Sequence, residues 1–83
     1  MLYMVQIEYQ REQRDGLFAY FENHGVTGYA LGVELNGAWV APEDLVAFAL
    51  VKVANIAAFE TESQRLTQFG TVTSRHVLNA EDL

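Results

Sequence analysis

The side chains of this sequence able to move or orient a proton are few. His76, beside Arg75 near the C-terminal end, is a candidate general base or haem ligand. Glu8 and Asn36 are candidates for handling or orienting a proton. Gln6 and Glu8 are two apart in an extended stretch, so they point to one side of it. With Asn36 they would set a few polar groups in an otherwise apolar surrounding, which is how small-molecule sites are built. Tyr29 and Trp39 are candidate walls of such a pocket. Each residue also has a plainer reading. His76 reads as a half-exposed strand histidine, Glu8 as the polar end of a strand, and Trp39 as core or dimer packing.

Other chemistries find no support. There is no cysteine, hence no disulfide and no thiolate nucleophile or metal ligand. The two histidines, His24 and His76, have no metal-site spacing with a carboxylate. His24 reads instead as a partner for the last carbonyls of a helix. Gly25, Gly28 and Gly32 are not followed by the Lys-Ser/Thr of a phosphate loop, and no serine sits in a nucleophile elbow. No metal and no cofactor is expected.

Eighty-three residues make one domain, 1–83, and a small one. A body of this size buries a modest share of its surface. Yet 51% of the residues are hydrophobic, so a second copy of the chain is the simplest cover for what one copy leaves bare. The net charge of −6 lacks the basic footprint of a nucleic-acid binder and would be repelled by anionic membranes. The apolar opening Met1–Val5 has no basic residues before it and is broken at Gln6 and Glu8, so no signal peptide is expected, and cytoplasmic location is the default.

The elements that must position these residues follow from periodicity. Leu2 to Tyr9 alternates Tyr3, Val5, Ile7 and Tyr9 against Leu2, Met4, Gln6 and Glu8, as a strand does. Arg11 to His24 predicts a helix with Leu17, Phe18, Phe21 and His24 as its stripe, its first turns weakened by Gly16 and its end capped by Gly25. Gly32 to Val53 predicts a β-hairpin turning at Pro42-Glu43-Asp44. On its first arm Val33, Leu35, Gly37, Trp39 and Ala41 would share one face; its second arm is apolar on both faces and therefore central. A helix opening at Pro42 is the competing reading. Asn55 would cap a second helix whose stripe is Ile56, Phe59, Ser63, Leu66 and Phe69, with Glu60, Glu62, Gln64 and Arg65 on the wet side and Gly70 ending it. Thr71 to Leu78 predicts a last strand, and Asn79 to Leu83 an acidic tail.

The resulting order is βαββαβ: an α+β, ferredoxin-like domain with a four-stranded antiparallel sheet, the first and third strands central, and both helices on one face. The opposite face would be too apolar to stay bare. On these residues the chain resembles the dimeric α/β-barrel superfamily, in which two ferredoxin-like sheets pack face to face. It is most similar to short bacterial domains of unknown function that share the apolar opening Leu2-Tyr3-Met4-Val5, Gly37-Ala38-Trp39 on the second strand and the closing Val77-Leu78-Asn79-Ala80-Glu81. The resemblance implies a homodimer formed through the sheet face. Two function classes then remain open: a module binding a small, mostly apolar molecule, or a cofactor-independent monooxygenase or isomerase acting on a small aromatic or polyketide-like compound. An enclosed cavity in which two of the polar candidates converge would favour the enzyme.

Overall fold

The computed structural model describes residues 1–24 and 32–83; of residues 23 and 24 it describes the backbone alone. Six main elements follow in order: β1 (Leu2–Tyr9), α1 (Arg14–His24), β2 (Val33–Ala41), β3 (Val46–Val53), α2 (Ile56–Leu66) and β4 (Gly70–Val77). Short 3-10 turns at Arg11–Gln13 and Ala80–Asp82 precede α1 and follow β4. The sheet order is β2-β3-β1-β4, and every neighbouring pair is antiparallel. This is the ferredoxin-like arrangement, with β1 and β3 central.

The helices lie on one face because only that face offers unbroken apolar rows. Val5, Ile7 and Tyr9 of β1 stand beside Ala47, Ala49 and Val51 of β3, all buried. Leu17 and Tyr20 of α1, Phe59 and Leu66 of α2, and Phe69 close over them. Small alanines on β3 let the helices approach the sheet, while the larger β1 side chains fill the gap. Main-chain bonds tie the start of the chain to the end of β3: the Val53 amide donates to the Met1 carbonyl at 2.6 Å, and the Met1 amine donates to the Val53 carbonyl at 2.9 Å.

The hairpin turns where Pro42-Glu43-Asp44 predicts. The Asp44 amide donates to the Ala41 carbonyl at 3.2 Å, and Leu45 takes a positive φ of 55° to re-enter the sheet. The competing helix from Pro42 is absent because every residue from Val46 to Val53 has partners on both sides or on β2. One feature of β2 departs from expectation. Leu35 pairs with Val51, but Gly37 pairs with Leu50, so Asn36 is an extra residue in a β-bulge. Alternation restarts after it. Val33 and Leu35 face the helices, whereas Gly37, Trp39 and Ala41 face the other way, and the single face expected for all five is split in two.

The first helix begins later than expected: a 3-10 turn occupies Arg11–Gln13 and the α-helix starts at Arg14. Gly16 belongs to it, and a methyl group there would press on the Phe69 ring at 3.3 Å. Asn55 caps α2 as expected, its side chain accepting from the Ala58 amide at 3.1 Å. The helix stops at Leu66, and Thr67 and Gln68 side chains donate to the Gln64 and Arg65 carbonyls at 2.5 and 2.9 Å. Phe69 is therefore buried from a turn rather than from the helix stripe. Gly70 opens β4 instead of capping α2, for a steric reason: a Cβ there would collide with the Glu8 carbonyl oxygen and stand 2.7 Å from the Tyr9 Cα.

Glu62, expected on the wet side, is buried. It lies three residues after Phe59 and four before Leu66, squarely on the packed stripe. The Tyr20 hydroxyl donates to its Oε2 at 2.5 Å and the Arg65 guanidinium to its Oε1 at 3.0 Å, so the carboxylate joins α1 to α2. Gly25, Gly28 and Tyr29 lie outside the described residues.

Candidate functional site

Strand register fixes which side chains share the face away from the helices. Across the sheet, Trp39, Phe48, Gln6 and Thr73 stand in one row, and Gly37, Leu50, Met4 and Arg75 in the next. Beyond them lie Leu2 and Val77 on one side, Ala41, Val46 and Glu8 on the other. The middle of the face is thus apolar, with polar groups along β1 and β4. Phe48, Leu50, Met4 and Leu2 are half-buried, and Trp39 is 55% exposed, unusual for so large an apolar ring.

Gly37 explains how the indole sits. A Cβ on Gly37 would fall 2.7 Å from Trp39 Cη2 and 3.2 Å from Cζ2. The six-membered ring therefore lies over the bare Gly37 backbone, in the space a side chain there would take. The Gly-x-Trp spacing has this physical basis: residues two apart share a strand face, and only a residue without a side chain leaves room beneath the ring.

The candidate residues read from the sequence fall into two groups. Gln6, Glu8 and Trp39 share the open face. Gln6 Nε2 donates to Glu8 Oε1 at 3.3 Å, so these two polar groups are joined to one another. Asn36 sits at the bulge, exposed, one position before the glycine under the indole. His76 is on the opposite face: it pairs with Tyr3, and their rings are 5.6 Å apart. Tyr29 lies outside the described residues, as does the His24 side chain. Glu8 and His76 therefore do not converge on a common point. The open face has a hollow of about 280 Å3 at one end, among Leu2, Met4, Leu50, Val77, Leu78 and Asn79, and neither Gln6 nor Glu8 lines it.

Among the described residues, no group of three His, Cys, Asp or Glu side chains is placed to hold a metal ion, and no helix is long and apolar enough to cross a membrane. Periodicity gave no sign of a second concavity, a cleft of about 520 Å3 between α2 and β4 on the helix side of the sheet. Its walls depend on the pairing of β4 with β1.

Element order, sheet order and the one-sided helices define a ferredoxin-like α+β domain whose second sheet face carries no helix among the described residues. Within that class the chain belongs to the family described as Domain of unknown function (DUF3303), which matches it over residues 1–83. No curated protein and no solved structure matches the chain.

Proposed function

We propose that this domain works as a homodimer closed through its open sheet face, holding a small, mostly apolar molecule between the two sheets. The observation that carries the reading is the apolar centre of that face, where Trp39, Phe48, Leu50, Met4 and Leu2 lie together in register on a surface left uncovered by helices. Covering it with its own copy removes apolar area from water on both partners at once. Gln6 and Glu8, at the border of the apolar rows, would orient a ligand by hydrogen bonding. The resemblance to the dimeric α/β-barrel superfamily, whose members close in this way, supports the same geometry. The reading makes the protein a bacterial, cytoplasmic one, and its charge of −6 disfavours nucleic acid and anionic membranes as partners.

The enzymatic alternative, a cofactor-independent monooxygenase or isomerase, has less to rest on, because Glu8 and His76 occupy opposite faces. Sedimentation equilibrium over a hundredfold concentration range tests assembly. A dimer that Phe48→Glu converts to monomer is expected, and a wild-type monomer throughout would overturn the reading. A thermal-shift screen against small aromatic acids, quinones and haem tests the ligand: a rise in Tm quenched in Gln6→Leu is expected, since a ligand bound only to the native state stabilises it.

A further inference from the structure

The helix-covered side of the sheet is not filled everywhere. Register places Gly70, Val72, Ser74 and His76 of β4 on that side, opposite Tyr9, Ile7, Val5 and Tyr3. The first three are small. The α2 residues above them include Ser63, also small, one turn beyond Phe59. With Ser63 on the α2 wall and Val72 and Ser74 on the β4 wall, a cleft of about 520 Å3 is left between them, inside the range of small-molecule sites. Its floor is aromatic: the Tyr3 and Phe59 rings lie 4.6 Å apart at 31° to each other, and the His76 ring abuts Tyr3. Around that floor stand neutral hydrogen-bonding groups, Ser63, Gln64 and Ser74, and one formal charge, the Glu60 carboxylate.

The charge pattern selects the ligand. No lysine or arginine lines the cleft. Arg75, next to Ser74, belongs to the other face, in register with Met4, and the Arg65 guanidinium is bonded to Glu62. An anion would enter with a carboxylate beside it, no cation to meet it, and a chain of net charge −6 around it. An ammonium group would meet Glu60, the hydroxyls of Ser63 and Ser74 and the faces of aromatic rings, which attract cations. A flat apolar body would lie on Tyr3 and Phe59.

We propose that the cleft between α2 and β4 is a binding site for an organic ammonium with a small aromatic body, an arylalkylamine. It lies across the sheet from the proposed dimer face and does not depend on that face.

The test is a two-dimensional amide NMR titration of the full chain with 2-phenylethylammonium, repeated with 3-phenylpropionate, which has a similar body and the opposite charge. Saturable shifts at Ser63, Gln64, Ser74 and His76 are expected for the amine, with the acid at least about tenfold weaker. Ser74→Leu, which fills the cleft from an exposed edge strand, abolishes the shifts. Glu60→Gln, on the helix surface, weakens binding by about threefold to fivefold, the scale of an exposed ion pair. Equal binding of amine and acid, shifts centred on Gly37, Trp39 and Phe48, or indifference to Ser74→Leu would each overturn the proposal. Phe48→Glu separates the two ideas: it disrupts the proposed dimer and leaves this titration unchanged.

Discussion

The two faces of the sheet are made by the same strands, residue against alternate residue, and they meet opposite fates. On one, Val5, Ile7, Ala47 and Ala49 are sealed beneath Leu17, Phe59 and Phe69. On the other, Met4, Phe48 and Leu50 are half-buried and Trp39 is largely exposed. The first face holds the chain together. The second has the composition of a core without its cover. Apolar content beyond what two short helices can cover is the feature on which the proposed dimer rests.

The comparison can be broken most severely from the helix side. Ile7→Ala or Leu17→Ala, each at a position fully out of solvent, is expected to cost about 2–5 kcal/mol by urea unfolding, with the same loss at every protein concentration. Phe48→Ala on the open face is the counterpart. Under the proposed dimer its cost should grow with protein concentration, because a wild type that assembles gains stability that the variant lacks. A Phe48→Ala loss independent of concentration would mean that the open face stays open. Next in size is Tyr20→Phe, which removes a donor from the buried Glu62 carboxylate and is expected to cost about 1.5–3 kcal/mol.

A subtler change sharpens the description of the open face. Gly37→Ala puts a methyl group under the indole, so Trp39 must lift away from the strand. A shifted fluorescence maximum with a stability change below about 1.5 kcal/mol is expected, since the ring already meets solvent. The smallest effect belongs to Tyr9, whose buried hydroxyl has no hydrogen-bond partner among the described residues. Tyr9→Phe removes that polar atom and should leave the unfolding free energy unchanged or raise it, by about 1 kcal/mol at most. A clear loss of stability would show that the hydroxyl is bonded in solution.

Much of this architecture was written in local pattern. The alternation from Leu2 to Tyr9, the Pro42-Glu43-Asp44 turn, the apolar run to Val53 and the Asn55 cap each specify their element by near neighbours alone. What escaped depends on distant partners. Nothing in Leu35-Asn36-Gly37 announces an extra residue; the bulge exists only in relation to Val51 and Leu50, and it decides which face Trp39 joins. Glu62 read as wet because of its charge, and Tyr20, 42 residues away, supplies the bond that lets it be buried. The candidate site divides in the same way. Gln6 and Glu8 could be placed together because they share a strand, whereas the separation of His76 from them follows from the β1–β4 register. The α2–β4 cleft had no sequence signal, being defined by what the facing side chains are too short to fill.

The two borders of the sheet differ as well. β2 carries a bulge at Asn36, while β4 pairs with β1 without interruption from Gly70 to Val77. Growth of a fibril by strand stacking needs two receptive sides on every molecule, one to accept the chain before and one to accept the chain after. The displaced residue in β2 makes that margin the poorer of the two templates for edgewise pairing.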